Sequence, residues 1–534
     1  MTDNPTLPAG DPGAPPTATR SDDKLDRGVL VVAGVVVLGA IMSILDITVV
    51  TIAMENFREV FDATPAEVAW TMTGYTLALA SVIPLTGWAA DRFGTKRLYL
   101  LAVALFTAGS VLCATATSIE MLVLFRVLQG LGGGMLMPLG MTILTRAAGP
   151  DRVGRVMAVL GVPMLLGPIF GPILGGWLIQ IASWHWIFLI NLPIGIAALV
   201  YAYLALPKDS PQPSETFDWI GMVLLSPGLA AFLYGVSSIP EHGGIGHREV
   251  LLPAVIGLVL IVAFVARAMW DEIAHPLVDL HLLQNKQMAT AVIAMSLFAV
   301  AFFGASLLFA QYFIAVRGEG TLKTGWLLAP QGFGAMITMP IAGALVDRIG
   351  PGKIVLTGVT LITAGMAAFT QVSTDTSYTL LLGALFVMGL GMGATMMPIM
   401  TSALQTLSDH NIARGSTLMN IVQQVAASIG TALFSVLLTN GYKQSPELGL
   451  VTAVKQAGDD QEAVAAILAK AGATAEQLPA LGAQALSDAA DAFASSFVVA
   501  TILVACVLIP AAFLPRRRVQ RDTNPEHMAA GHLH

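Results

Sequence analysis

The chain has 534 residues, of which 55% are hydrophobic and only 11% are charged. A soluble domain carries about 25% charged residues, so this composition excludes an ordinary soluble protein and indicates one that crosses a membrane many times. The net charge of −7 is modest and gives no reason to expect a nucleic-acid partner.

Fourteen apolar runs are long enough to span a bilayer as helices, because lipid cannot satisfy the polar groups of an irregular backbone. We therefore predict an all-α polytopic membrane protein. The predicted spans are 29–53, 66–90, 98–117, 121–145, 154–181, 184–206, 217–239, 250–270, 288–315, 322–346, 353–372, 377–404, 414–439 and 492–514.

Lysine and arginine predict the orientation of these spans, since cytoplasmic segments carry an excess of both. With the N-terminus inside, cytoplasmic segments hold nineteen of the 27 and outer segments hold seven. Arg126 alone lies within a span. Both termini are thus predicted to be cytoplasmic, with residues 1–27 a disordered tail rich in Pro, Thr and Asp.

One polar turn occurs twice. It reads Gly87-Trp-Ala-Ala-Asp91-Arg92-Phe-Gly94-Thr-Lys96-Arg97 and recurs 256 positions later as Gly343-Ala-Leu-Val-Asp347-Arg348-Ile-Gly350-Pro-Gly-Lys353. It joins spans 2–3 and spans 10–11, so the chain is a duplicated membrane unit. The predicted domains are 28–206 (spans 1–6), 207–287 (an inserted pair), 288–515 (spans 9–14, with an outer loop at 440–491) and a tail at 516–534.

The repeated turn resembles the signature loop of the major facilitator superfamily. Arg126-Val-Leu-Gln129-Gly130 is similar to its span-4 arginine motif, and residues 161–176 to its span-5 antiporter motif. Residues 45–50 and 184–195 are similar to the fourteen-span drug:H⁺ antiporters, the EmrB/QacA-like group. The resemblance implies two six-helix bundles, plus two inserted helices, around a central cavity.

The sequence departs from the family pattern at three places. Thr95 stands where a basic residue is usual, and His185 where arginine is usual. Leu385 stands in the second repeat where Arg126 would align. The departure at Leu385 confines the charged chemistry of the membrane interior to the first repeat.

Asp46 is the predicted proton carrier. It lies roughly 10 Å inside span 1, where a carboxylate must be neutral for part of the time or paired with a cation. Arg126 lies at a similar depth in span 4, which the resemblance places beside span 1. We expect Arg126 to pair with ionised Asp46 and to lose that partner on protonation. The alternatives are a protonated, hydrogen-bonded Asp46 and an Arg126 anchored to helix carbonyls.

The resemblance also implies roles for the two repeated turns and for the glycine motif of span 5. The turns would form a conformational latch, in which Asp91 binds the other half through a helix N-terminus or an arginine, and Asp347-Arg348 does so more weakly. The span-5 glycines would seal the cavity, whereas ordinary small-residue packing is the alternative. The latch residues are Gly87, Asp91, Arg92, Gly94, Asp347 and Arg348, and the antiporter motif is Gly167, Pro168, Gly171, Pro172, Gly175 and Gly176.

Several uncharged polar residues interrupt apolar spans of the second half. They could line a substrate cavity, although hydrogen bonding between helices is an equally physical role. The candidates are Gln311, Tyr312, Gln331, Asn420 and Gln424.

The predicted function is proton-coupled export of hydrophobic or amphipathic compounds across a bacterial cytoplasmic membrane. The alternatives are an exporter or flippase of native lipid-like molecules and a non-transporting sensor or scaffold. We expect no enzyme activity, metal or cofactor, because no phosphate loop or metal-ligand cluster is evident and a proton gradient would supply the energy. The expected partners are a small-molecule substrate, protons and lipid, with the chain working as a monomer.

Overall fold

The computed structural model describes residues 26–149, 152–209, 216–239, 246–269, 276–408, 411–457 and 461–517. The predicted tails therefore lie mostly outside the described residues. So do the side chains of a few residues inside helices, among them Pro168 and Pro172.

The regular structure within these ranges is helical, and we number the α-helices in chain order. They are α1 Arg27–Phe61, α2 Pro65–Phe93, α3 Thr95–Cys113, α4 Ile119–Ala148, α5 Val153–Ile181, α6 His185–Leu189, α7 Asn191–Ala205, α8 Trp219–Ser237, α9 Arg248–Ala268, α10 Lys286–Ala315, α11 Thr321–Ile349, α12 Pro351–Phe369, α13 Tyr378–Gly393, α14 Met396–Leu404, α15 Ile412–Lys443, α16 Pro446–Ala457, α17 Gln461–Lys470, α18 Leu478–Cys506 and α19 Leu508–Ala511.

Thirteen segments of the described chain are long and apolar enough to cross a membrane. They correspond to every predicted span except the fifth, and α5 covers that span as one helix of 29 residues. The prediction of an all-α polytopic membrane protein is confirmed.

The duplicated turn is flanked by helices of equal length in both halves. α2 and α11 each have 29 residues, and α3 and α12 each have 19. The chain reverses between them at Gly94, with φ 96°, and at Gly350, with φ 85°. Side chains rarely adopt such angles, so glycine at these two positions lets one helix end and the next begin.

Each half packs its helices in a similar pattern. In the first half α4 packs on α2 and α3, and α1 packs on α5. In the second half α13 packs on α11 and α12 in the same way, and α10 packs on α15. The halves meet where α5 lies along α11 and where α2 lies along α15. The inserted helices α8 and α9 pack on each other, and α8 contacts both α2 and α15.

Two predicted spans are broken. The sixth divides into α6 and α7 at Ile190, three residues before Pro193, which has no N–H to continue the helix. The twelfth divides into α13 and α14 at Ala394 and Thr395, directly after three glycines in five residues. Glycine is a poor helix former, which accounts for the second interruption. Both segments are still long and apolar enough to cross as single spans, His185–Ala205 and Tyr378–Leu404, in agreement with the predicted spans at 184–206 and 377–404.

The predicted outer loop at 440–491 is mostly helical. α16 and α17 lie within it, and α18 begins at Leu478 rather than at the predicted 492. The segment is rich in alanine, the strongest helix former, so helices form there without a long apolar run.

Candidate functional site

An ion pair is enclosed within the first half. Arg126 Nη1, from α4, lies 2.5 Å from Asp46 Oδ2, from α1, and neither side chain has exposed surface. Each charge would be costly alone in this surrounding, so the pair persists because each compensates the other. The two residues predicted from sequence to meet are therefore in direct contact.

Gln129 connects the two charges. It lies three residues after Arg126 on the same helix, so both side chains point to the same face. Its Nε2 donates to Asp46 Oδ1 at 2.7 Å, and its Oε1 accepts from Arg126 Nη1 at 2.7 Å. One neutral amide thus forms a hydrogen bond with each ion of the pair.

A second amide reaches the carboxylate from α7. Asn191 Nδ2 lies 3.4 Å from Asp46 Oδ1 and donates to Ser110 Oγ, on α3, at 3.0 Å. Ser110 also accepts from Gln129 Nε2 at 3.1 Å and donates to the Phe188 carbonyl at 3.0 Å. The carboxylate is therefore held by α1, α3, α4 and α7, all within one half.

Arg126 has contacts that do not depend on Asp46. Its Nε donates to the Thr71 carbonyl on α2 at 3.2 Å, and its guanidinium carbon lies 4.1 Å from the centre of the Tyr75 ring. Its Nη2 has no acceptor within the described part of the chain. A cation with an amide, a carbonyl and an aromatic face beside it can remain buried when its carboxylate partner is neutralised.

Sequence reasoning did not single out Gln129, Ser110, Asn191 and Tyr75 as site residues. Gln129 had a readable signal, because it lies at i+3 from a charged residue inside a span. Asn191 had a weaker one, as an amide in an apolar run. Nothing in the local sequence indicated that Ser110 and Tyr75 reach the same point, because they come from other helices.

The glycines of α5 face α1 in the same half. A Cβ built on Gly167 would collide with Ile44, one on Gly171 with Thr48, and one on Gly175 would lie 3.1 Å from Val49. Gly176 differs from these, because a Cβ there meets nothing within 4 Å. The predicted glycine contact thus involves Gly167, Gly171 and Gly175 but not Gly176, while the side chains of Pro168 and Pro172 lie outside the described residues.

The first signature turn contacts the second half. Asp91 lies 3.8 Å from Arg414 Nε on α15 and 3.4 Å from Arg146 on α4. Nearby, the Thr86 and Thr417 hydroxyls are 3.2 Å apart, and a Cβ on Gly87 would lie 3.2 Å from the same Thr417 oxygen.

The second turn contacts the first half through a helix start. Asp347 accepts the backbone N–H of Gly154 at 3.0 Å and of Arg155 at 3.3 Å, and lies 3.6 Å from Arg155 Nε. Each of these distances is shorter than the 3.8 Å between Asp91 and Arg414, which is the contact of the first turn across the halves. Arg92 is half-buried and Arg348 is exposed.

The proposed cavity residues of the second half have different surroundings. Gln311, Gln331 and Gln424 are half-buried. Asn420 donates to the Ser416 carbonyl at 2.8 Å. Tyr312 is fully buried, and its hydroxyl donates to the Ser373 carbonyl at 2.7 Å. In this conformation the Tyr312 hydroxyl thus bonds to the segment that connects α12 and α13.

The comparison with known proteins decides the family. Residues 36–431 match the sequence model of the Major Facilitator Superfamily. This chain belongs to that superfamily. It is 50% identical over 522 residues to "Multidrug resistance protein B homolog" of Mycobacterium tuberculosis, covering 97% of this chain and 96% of that one. It is 30% identical to "Multidrug export protein EmrB" of Haemophilus influenzae, covering 76% and 79%.

Solved structures agree on the fold. The human organic anion transporter MFSD10 superposes with a TM-score of 0.57 at 15% identity, covering 89% of this chain and 99% of that one. The proton:xylose symporter XylE gives 0.54 at 13% identity, with 90% and 96% covered. The predicted resemblance is confirmed: the chain is a membrane transport protein of a group that includes multidrug exporters, and not an enzyme.

Proposed function

We propose that this transporter exports hydrophobic or amphipathic compounds, drugs among them, in exchange for protons. The names of its relatives support the substrate class. Its duplicated halves support alternating access, in which two bundles rock about a central cavity. We place it in a bacterial cytoplasmic membrane, acting as a monomer with both termini in the cytoplasm.

The observation that carries the proposal is the enclosed pair of Asp46 and Arg126. A scaffold or sensor has no need of a carboxylate and a guanidinium buried together inside a membrane helix bundle. Arginine keeps its proton, so the exchangeable proton belongs to Asp46. Protonation of Asp46 removes the ionic attraction and leaves Arg126 to Gln129, Thr71 and Tyr75.

A continuous set of contacts leads from this pair to the boundary between the halves. Ile44 and Thr48 lie on α1 two residues before and two residues after Asp46. Both pack on the glycines of α5. The first turn of α5 carries Gly154 and Arg155, which hold Asp347 of the second half. A shift of α1 that follows protonation would thus reach the contact between the halves through α5, a packed helix of fixed length.

The proposed latch consists of the Asp91–Arg414 and Asp347–α5 contacts, which join the halves at the ends predicted to be cytoplasmic. In this role they close the cavity to the cytoplasm and break when it opens inward. Each is a carboxylate that meets an arginine or a helix N-terminus, so each is reversible.

The proposal is tested by export of a panel of lipophilic dyes from cells, with and without a protonophore. Energised cells are expected to extrude several unrelated dyes, and the protonophore is expected to abolish extrusion. A chain that moves only native lipid-like molecules would extrude none of the panel, and ATP-independent extrusion that survives the protonophore would contradict proton coupling.

A further inference from the structure

The start of α3 is bound to the end of α7 and the residues that follow it. A carboxylate binds the N–H groups at the start of α3, and an ammonium group binds the carbonyls at the end of α7. The Asp209 carboxylate accepts the backbone N–H of Lys96 at 2.8 Å and of Arg97 at 3.0 Å. In return, Lys96 Nζ donates to the carbonyl oxygens of Tyr203 and Leu206, each at 2.7 Å. We call these four contacts the clasp.

Helix ends explain why the clasp is stable. The first N–H groups of a helix and its last carbonyls have no partners inside the helix, and they carry partial positive and negative charge respectively. α3 has Gly94 at its N-cap, which offers no side chain to those N–H groups. Asp209 supplies the missing acceptor, and Lys96 supplies a cation to the end of α7.

The clasp also accounts for the close approach at Gly94. A Cβ built there would collide with the Asp209 carboxyl group, lying 2.5 Å from Oδ2. The second turn is held differently. Gly352 donates its N–H to the Pro515 carbonyl at 2.8 Å, so a backbone oxygen takes the place of the carboxylate. The charged clasp belongs to the turn that carries Asp91.

Space beside the first turn shows what the clasp restrains. A cavity of about 510 Å³ is lined by Asp91, Arg146 and Lys208, together with Lys96, Leu206 and Asp209 of the clasp. The end of α2 therefore has open space on that side, beside the contacts of the clasp. Asp91 lies in the last turn of α2, three residues before Gly94, so loss of order at Gly94 would fray the helix end that carries Asp91.

We propose that Asp209 is a positioning residue for the latch. This inference rests on the alternating access proposed above. Closing the cytoplasmic side requires an ordered turn, so that Asp91 can reach Arg414. The clasp keeps the turn ordered before closure. Closure therefore does not have to be accompanied by the loss of conformational entropy that ordering the turn would require. Without the clasp, the closed state loses stability relative to the inward-open state, because only closure requires Asp91 to be aligned with Arg414.

The test measures the populations of the two states directly. Spin labels are placed at Leu30→Cys and Lys353→Cys, exposed positions at the predicted cytoplasmic ends of the two halves. Cys506 is replaced by alanine, and the fully buried Cys113 is kept. Distances between the labels are measured by pulsed electron paramagnetic resonance in lipid vesicles, with and without a pH gradient.

Asp209→Ala is expected to lower the ratio of closed to open molecules about fivefold, the usual effect of losing one helix cap. Asp209→Asn keeps one acceptor without the charge and is expected to fall between Asp209→Ala and the wild type. Lys208→Ala is the matched control, because Lys208 is an exposed neighbour outside the clasp, and its ratio is expected to equal that of the wild type.

Two results would overturn the inference, and they can be distinguished because only the second also contradicts the proposed function. Two distance populations in the wild type that Asp209→Ala leaves unchanged would remove the role of Asp209 alone. A single population in the wild type under both conditions would also contradict alternating access. If Asp209→Ala does not accumulate in the membrane, Lys96→Gln removes the two contacts of Lys96 Nζ with the end of α7 and leaves those of Asp209. It must then lower the closed population by a smaller amount, and an unchanged population would overturn the inference.

Discussion

Gln129 donates its side-chain amide to Asp46 Oδ1 across 2.7 Å, from one turn beyond Arg126 on the same helix. It therefore serves as an uncharged bridge between the proposed proton carrier and its cation. When Asp46 changes its charge, Gln129 and Arg126 must rearrange together, because Gln129 Oε1 also accepts from Arg126.

We predict that Gln129→Leu reduces proton-driven export about tenfold or more. Loss of a hydrogen bond to a buried charge costs roughly 1.5–3 kcal/mol, and here both ions lose one. The measurement is the initial rate of dye export in vesicles, corrected for protein abundance. Leu128→Ala is the control, since Leu128 is the neighbouring residue on α4 but points in a different direction and is 40% exposed. Equal rates for Gln129→Leu and the wild type would show that the bridge is dispensable.

We predict that Gly171→Leu abolishes export and lowers the melting temperature. A side chain there collides with Thr48, and overpacking of a tight contact costs about 1–3 kcal/mol or more. Leucine favours the membrane, so insertion is expected to persist. Gly176→Leu lies on the same helix, where a Cβ meets nothing within 4 Å, and should retain export. Loss of export in both variants alike would indicate a general intolerance of α5.

We predict that Asp347→Ala exposes the boundary between the halves. The variant leaves the N–H groups of Gly154 and Arg155 without their acceptor, a loss of about 1–3 kcal/mol if one stays buried. Thr417→Cys, at a buried position beside Thr86, reports the opening through its labelling rate with a maleimide. The rate is expected to rise about tenfold. Asp375→Ala, in an exposed turn, is the control, and equal rates in the two variants would exclude a latch at Asp347.

We predict that the interaction of Glu319 with Lys323 and Tyr378, near the connection between α10 and α11, stabilises the protein in a pH-dependent way. Glu319 binds Lys323 Nζ at 2.8 Å and accepts from the Tyr378 hydroxyl. The hydrogen bond from Lys323 lowers the pKa of Glu319 below its ordinary 4.5. A lowered pKa means that the stabilisation is present above pH 4.5 and is lost as pH falls through the lower value.

The measurement is the melting temperature of Glu319→Gln against the wild type. We expect a small deficit at neutral pH that disappears well below pH 4.5, because the wild-type carboxylate is then protonated. Glu59→Gln, at an exposed position, is the comparison. A deficit that is the same at every pH would show that the charge of Glu319 contributes nothing.

The spans could be predicted from sequence because an apolar run of membrane length has few alternative structures. The pairing of Asp46 with Arg126 could also be predicted, since two buried opposite charges at similar depth need each other. The interruptions at Ile190 and Ala394 follow from Pro193 and from the glycines of α13, which alter the helix locally without shortening the span.

The other contacts of the site and of the clasp could not be predicted, because they join residues that are far apart in the sequence. Asp209 comes more than a hundred residues after Lys96, and Ser110 meets Asn191 from another helix. Neither Asp209 nor Ser110 lies in a motif or a repeat that marks it. Tyr312 was an expected cavity residue, yet its contact with Ser373 is a property of the packed bundle and not of its own helix.

The central claim is that Asp46 carries the proton. Asp46→Asn has nearly the same size and can still accept from Gln129, but it cannot ionise, so it resembles a permanently protonated chain. Arg126→Ala removes the partner, and the double variant is expected to be no worse than either single one, because the two residues act as a unit. Asp62→Asn is the matched control on α1, at an exposed position with positive φ where asparagine is well tolerated.

The measurement that tests this claim most directly is uphill dye transport driven by an imposed pH gradient in vesicles, with abundance and dye binding recorded for each variant. Asp46→Asn is expected to be present, to bind dye and to show no uphill transport, while Asp62→Asn transports as the wild type does. Accumulation of dye by Asp46→Asn against its gradient, with a normal dependence on the pH difference, would contradict the account.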